Sequence, residues 1–205
     1  MIVEPELQAR IGAGDAQVAD LEQFRQRLVT ANAEMNLVGP STLAEFWTRH
    51  VLDSAQLLAL APEARTWADL GAGAGFPGLV LAILLKGRPG AHVWLIDSLN
   101  KRCRFLQGVV DALELPATVI AGRAEEQSLR VDVVTARAVA PLQTLLGYAQ
   151  PYLSRGAKGL FLKGEKAEAE LIEARTCWQV KAELLVSQSD PRGRIVAVEK
   201  LSRVR

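Results

Sequence analysis

Cysteine is nearly absent: Cys103 and Cys177 are the only two in 205 residues, with no CxxC pair and no Cys/His spacing near either. That argues against a disulfide framework and against structural zinc, and no metal is expected. An excess of one charge is also missing, since 24 basic against 23 acidic residues leave +1. A nucleic-acid partner would have to be held by a local basic patch rather than by the whole surface. No segment approaches the ~18 uncharged apolar residues of a membrane helix. The opening "MIVEPELQAR" carries acids where a secretory signal would be apolar. The expectation is a cytoplasmic monomer without a membrane partner. Aromatic residues make up only 5%, which limits base stacking as a source of affinity.

What remains is ordinary globular material, 49% hydrophobic and 23% charged, in a length that suits one well-buried domain. Within residues 15–36, "DAQVADLEQFRQRLVTANAEMN", the residues Val18, Leu21, Phe24, Leu28 and Ala31 recur at helical steps. Gly39 and Pro40 then break the pattern. Thr42 with Glu45 forms a capping-box signature that opens a second helix to about Leu60, and Pro62 ends it. From Thr66 short apolar runs take over: "TWADL", "HVWLID", "ATVIA", "VDVVTA" and "GLFLK", with helical stretches between them. Their order predicts a doubly wound α/β sheet. "WQVKAELLVS" and "RGRIVAVEKL", separated by "QSDP", predict an antiparallel C-terminal hairpin. The expected architecture is a mostly parallel seven-stranded sheet in a single domain, 1–205, with residues 1–64 as a helical N-terminal cap and 65–205 as the core.

The stretch "DLGAGAGFPG", residues 69–78, falls where the first strand passes into the first helix, the usual ligand site of such sheets. Gly71, Gly73 and Gly75 permit left-handed turns and close approach of a ligand. Read from Gly73, the turn satisfies GxGxxG, and Asp97 falls at the spacing of a ribose-binding acid, so a nicotinamide dinucleotide and S-adenosylmethionine both fit. Asp69 tips the choice toward the second, because a carboxylate suits its cationic amino-acid end better than a pyrophosphate. The chain is also short for a dehydrogenase with a separate substrate domain. Asp97 serves as a ribose acceptor or as the cap of the next helix. Ala124 and Glu125 in "GRAEEQ" lie where an adenine would be edged. His50, Asp53 and Ser54 can share one helix face, and a lone histidine there reads first as a core residue. Arg137 and Lys163 end the fourth and fifth strands at the ligand edge, suited to phosphate or guanine. Arg49, Arg123, Arg192 and Arg194 would extend that patch. A methyltransferase of a small molecule or protein, and a regulatory module that binds an adenosine ligand, stay open on these residues.

Several further pieces add specificity: "NLVG" at 36–39, "RHVLDS" at 49–54, "LIDSLNKRCRFL" at 95–106, "GRAEE" at 122–126, "TARAVAPL" at 135–142 and "LKG" at 162–164. With the glycine turn they resemble, over nearly the whole length, the bacterial small-subunit rRNA guanine-N7 methyltransferases of the RsmG or GidB family. The resemblance implies a class I, Rossmann-like methyltransferase sheet and S-adenosylmethionine as donor, with S-adenosylhomocysteine as product. It implies as acceptor N7 of one guanine in the decoding region of 16S rRNA, presented in the small ribosomal subunit or an assembly intermediate. By position, Gly71, Phe76, Ala124, Glu125 and Arg137 would contact the donor, with Asp97 at its ribose. Phe76 is expected to pack rather than to read out the ligand. Added to these from the turn itself are Asp69 and Gly73. Asn36, Arg49, His50, Arg137 and Lys163 fall on the acceptor side, with His50, Arg137 and Lys163 assigned to catalysis. The chain departs from the family at "TARAVA", where a serine is more usual before the arginine. Guanine N7 has a lone pair and no proton, so its methylation needs positioning and shielding rather than a general base.

Overall fold

The computed structural model describes residues 4–204, with Pro40 and Ser41 described by their backbone alone. Helices α1 (Pro5–Ile11), α2 (Asp15–Met35) and α3 (Pro40–Ala44) lead into a π-helical segment (Phe46–Leu52) and α4 (Asp53–Leu60). The sheet follows as β1 (Thr66–Leu70), α5 (Gly78–Leu85), β2 (His92–Asp97), α6 (Asn100–Ala112), β3 (Ala117–Ala121), β4 (Val133–Arg137), α7 (Leu142–Leu153), β5 (Lys158–Lys163), α8 (Ala167–Ala174), β6 (Trp178–Val186) and β7 (Arg194–Arg203). A short 3-10 turn, Ala124–Glu126, follows β3.

The strand order is β3-β2-β1-β4-β5-β7-β6. β1 to β5 run parallel, and β7 joins antiparallel between β5 and β6. The chain thus winds outward in both directions from the β1/β4 junction, the switch point at which the connecting turns diverge and leave a crevice. Alternate residues of each central strand feed opposite faces. Trp67, Val93, Leu95, Val133 and Leu160 pack under the N-terminal helices, α5 and α6. Ala68, Leu70, Ile96, Val134 and Phe161 pack under α7 and α8. Burial on both faces is why these strands read as continuous apolar runs instead of alternating ones.

Three expectations need correction. The second helix is not one helix: α3, the π segment and α4 divide it. The Thr42–Glu45 capping box does not form, because the chain enters α3 at Pro40, whose ring presets the first helical φ. The Thr42 hydroxyl instead donates to the Gly39 carbonyl at 2.8 Å. In the π segment Phe46 and Val51, five residues apart, are both buried, a spacing that suits i→i+5 turns. Lastly, α1 and α8 are helices that the apolar periodicity did not reveal, at seven and eight residues too short to show it.

Candidate active site

The turn after β1 is built from beneath. Asp69 is fully buried, and its Oδ2 accepts the Gly78 N–H at 2.8 Å, tying the end of β1 to the first turn of α5. Its Oδ1 has no hydrogen-bond partner among the described residues. Gly71 and Gly75 stand at φ +67° and +95°. A Cβ on Gly71 would lie 2.7 Å from Val139 Cγ2 in the loop after β4, so the close meeting of the β1 and β4 turns requires glycine there. Asp97, at the end of β2, secures the turn from the side. Its Oδ2 accepts the Gly73 N–H at 2.9 Å and its Oδ1 accepts the Leu99 N–H at 2.9 Å. It does not cap α6, which begins at Asn100.

Two adjoining cavities open over this crevice, of about 530 and 370 Å³. They share Gly71, Arg102 and Ala138. The smaller runs from Asp97 and Ser98 past Gly122, Ala124 and Glu125 to Val139 and Tyr148. The larger is bounded by Leu37 and Val38, by Arg49, His50 and Asp53, by Gly73 and Phe76, by Arg137 and Lys163, and by the β6–β7 loop at Ser189, Asp190 and Gly193.

Arg137 organises the larger cavity. Its Nη1 donates to the Arg49 carbonyl at 2.9 Å and lies 3.4 Å from Asp53 Oδ2, while Nη2 meets His50 Nδ1 at 2.7 Å. Its guanidinium carbon sits 4.8 Å from the centre of the Phe76 ring, and the His50 imidazole stacks on that ring with centroids 4.4 Å apart. Because a guanidinium can only donate, His50 Nδ1 must accept, which places the imidazole proton on Nε2. Burial pushes the His50 pKa down to about 3, helped by the Arg137 and Arg49 charges. The histidine is therefore neutral at physiological pH. Burial lowers Arg137 as well, while Asp53 opposes that shift.

Burial also raises the Asp69 pKa to about 7, against the Gly78 hydrogen bond and the Arg137 charge, which lower it. The two groups act oppositely on stability. Asp69 holds its proton more tightly when folded, so its contribution is lost as pH rises from ~4 toward 7. His50 holds its proton less tightly when folded, so its contribution is lost as pH falls from ~6.5 toward 3. Between ~4 and 6.5 their slopes, each up to ~1.4 kcal/mol per pH unit, offset one another. Asp69→Asn removes one of them. Its melting temperature should drop roughly 4–8 °C further than that of the wild type between pH 7 and pH 5. Parallel melting profiles of the two proteins would show that Asp69 titrates as an ordinary carboxylate.

The structure brings most of the sequence-derived site residues together and separates others. Gly71, Gly73, Phe76, Arg49, His50, Arg137 and Lys163 line the larger cavity, and Asp97, Ala124 and Glu125 line the smaller. Asp69 lies below the turn, outside both linings, and Asn36 is an exposed left-handed residue that ends α2 beside the cavity rim at Leu37. Lys163 is paired, with Nζ 2.6 Å from Glu170 Oε2 and 3.0 Å from the Ala140 carbonyl. The expected arginine patch is split. Arg123 lines the smaller cavity and pairs with Glu125, whereas Arg49 and Arg192 both approach Asp190 in the β6–β7 loop. Arg194 bonds the Pro191 and Gly193 carbonyls of that loop. Sequence reasoning missed the loop itself, because "QSDP" reads as a plain hairpin turn. Among the described residues no group of three His, Cys, Asp or Glu is placed to hold a metal.

Residues 17–192 match the family model described as GidB, rRNA small subunit methyltransferase G. The chain is 62% identical over 198 residues to Ribosomal RNA small subunit methyltransferase G of Caulobacter vibrioides (strain NA1000 / CB15N), which covers 97% of this chain and 92% of that protein. It is 46% identical over 187 residues to the protein of the same name from Bradyrhizobium sp. (strain ORS 278), covering 89% and 84%. Among solved structures it is similar to magnesium protoporphyrin IX methyltransferase from Synechocystis PCC 6803 with bound SAM, with a TM-score of 0.59 and 14% identity over 92% of this chain and 98% of that one. At that identity the two share the fold.

Proposed function

Because the chain belongs to the GidB family of rRNA small subunit methyltransferases G, we propose that it transfers a methyl group from S-adenosylmethionine to N7 of a guanine in the decoding region of 16S rRNA. The observation that carries this reading is the pair of adjoining cavities joined at Gly71, the smaller walled by Asp97, Ala124 and Glu125, the larger by the rest of the glycine turn and by Arg137. The residues present fit the donor. Gly71 borders both cavities with bare backbone, and the two Asp97 oxygens each use one backbone N–H, leaving acceptor capacity for ribose hydroxyls. Gly71, Gly73 and Asp97 would hold its ribose and amino-acid end, with Ala124 and Glu125 at the adenine. Asp69 acts through the turn that it supports. The bound donor supplies an electrophilic methyl group on a sulfonium.

The acceptor then belongs to the larger cavity, with Arg49, Arg137 and Lys163 on its walls and Asn36 at its rim. N7 is unprotonated and needs no base, and His50, neutral and with Nδ1 already engaged by Arg137, offers none. What the chain provides is orientation. Arg137 can donate to the guanine O6 beside N7, a contact that marks guanine, while the Asp53 carboxylate limits the repulsion between that arginine and the cationic product. Phe76, 3% exposed, supports His50 and Arg137 by packing. The Hoogsteen edge must be exposed to be methylated, so the target is single-stranded or flipped out. The substrate is 16S rRNA in the small subunit or an assembly intermediate, which puts the reaction in the cytoplasm. Among the described residues no helix is long and apolar enough to cross a membrane.

Mass spectrometry of 16S rRNA from cells lacking the gene should show the loss of one 7-methylguanosine, restored by the wild-type gene. Asp97→Ala should not restore it, and calorimetry should find its affinity for S-adenosylhomocysteine lowered about 10-fold to 100-fold, the value of a charge-assisted hydrogen bond or two. Unchanged 7-methylguanosine in the deletion strain overturns the proposal.

A further inference from the structure

Arg49, Asp53 and Gln56 follow one another at steps of four and three along the π segment and α4, and all three reach the β6–β7 loop, residues 187–193. Arg49 Nη1 lies 3.9 Å from Asp190 Oδ2. Gln56 accepts the Gln188 N–H at 2.8 Å and donates to Ser187 Oγ at 3.0 Å. Asp53 Oδ1 accepts from Ser189 Oγ at 2.6 Å, from Gln56 Nε2 at 3.0 Å and from Ser187 Oγ at 3.3 Å. Its other oxygen, Oδ2, faces Arg137 Nη1 at 3.4 Å.

We propose that Asp53 is the positioning residue of the acceptor cavity: one carboxylate oxygen fixes the β6–β7 loop and the other fixes Arg137, so a single side chain sets two of its walls. This rests on the proposed guanine acceptor. Gln56 and Ser187 are buried, and a buried polar cluster stabilises little beyond what apolar packing would, so its directional bonds are best understood as setting position. The carboxylate also has a matched division of labour. Loop hydroxyls and an amide saturate Oδ1, while Oδ2 is left for the arginine.

The test uses the full-length enzyme, small ribosomal subunits and labelled S-adenosylmethionine. Asp53→Asn retains an acceptor oxygen and the shape but removes the charge facing Arg137, and should lower kcat about 10-fold to 100-fold. Affinity for S-adenosylhomocysteine should stay within about twofold, because the smaller cavity and the glycine turn are both untouched. Ser189→Ala, the milder variant, should lower kcat about threefold to tenfold. Added to Arg137→Gln, Asp53→Asn should cost less than about twofold more, since the two act through one contact. Amide hydrogen exchange in residues 187–193 should quicken about tenfold in Ser189→Ala, which removes the shortest of the loop bonds to Asp53, while β1 is unchanged. Wild-type kcat in Asp53→Asn, full additivity with Arg137→Gln, or a parallel fall in S-adenosylhomocysteine affinity would overturn the proposal. Unaltered loop exchange would overturn the tether whatever the substrate is, whereas wild-type enzyme that leaves the RNA unmethylated would overturn the functional reading instead.

Discussion

Arg137→Ala should reduce kcat/KM for small ribosomal subunits about a thousandfold, as the loss of an organised donor at a reacting centre does in other enzymes. The arginine joins four elements at once: Nη1 binds the Arg49 carbonyl and Asp53, Nη2 binds His50, and the flat face covers Phe76. Its removal leaves Asp53 Oδ2 without its cation and His50 Nδ1 without a donor, at a site where His50 is only 5% exposed. Loss of one partner of a largely buried pair costs about 3 kcal/mol, near the low end for such pairs. That should lower the melting temperature by roughly 6–12 °C. Arg137→Lys separates charge from shape. A lysine can still pair with Asp53 but cannot bridge His50 and the Arg49 carbonyl together, because it lacks the planar fork. It should recover much of the stability and little of the activity, as read by thermal melting and methyl-transfer kinetics. Activity of Arg137→Lys within threefold of wild type would remove the fork from the mechanism.

Gly75→Ala should unsettle the fold and Gly73→Ala the ligand site, although the two glycines are neighbours in one turn. At Gly75, φ is +95° and an added Cβ would lie 2.3 Å from Leu79 Cδ1 and 2.8 Å from its Cγ. Leu79 is fully buried. The left-handed backbone and the overpacking together cost about 3 kcal/mol or more, a fall of roughly 6–12 °C in melting temperature. At Gly73, φ is +54° and, among the described residues, the only atom found within 4 Å of an added Cβ is the Gly71 carbonyl oxygen, at 3.6 Å. Alanine there costs about 1–2 kcal/mol of backbone strain. Gly73 nevertheless lines the larger cavity, so a methyl group occupies space meant for ligand, and affinity for S-adenosylhomocysteine should fall about tenfold. Differential scanning calorimetry and titration calorimetry on both variants check this. Equal melting temperatures for the two would contradict it.

Much of the fold was legible because its signals are local. β1, β2 and β3 begin and end as the apolar runs do; β1 and β2 lie inside the sheet, where cover on both faces favours apolar residues throughout. The glycine turn was legible for a similar reason: positive φ and close packing against Val139 and Leu79 leave no room for a Cβ at Gly71 and Gly75, and Asp97 ends the next strand as its spacing predicts. The turn alone fitted two cofactors, and the pieces around it decided between them. His50 read first as a core residue, and the resemblance moved it to the acceptor side. It is buried and stacked on Phe76, and it accepts from Arg137 at the lining of the larger cavity.

Other features had no local signal. Ser187 and Ser189 lie 134 and 136 positions from Asp53, and nothing in "QSDP" tells that a helix from the N-terminal part will read that loop. Lys163 looked like an open cation until Glu170, on the unforeseen α8, lay 2.6 Å from it. The sequence by itself determined the winding of the sheet, the glycine crevice and the family. Those follow from burial periodicity and backbone sterics, which act over a few residues. Only the tertiary structure decided which charges are paired, which histidine nitrogen is engaged and which loop walls the larger cavity. Each of those depends on distances between residues far apart in the chain, and electrostatic and hydrogen-bond energies take their values from such distances and from burial.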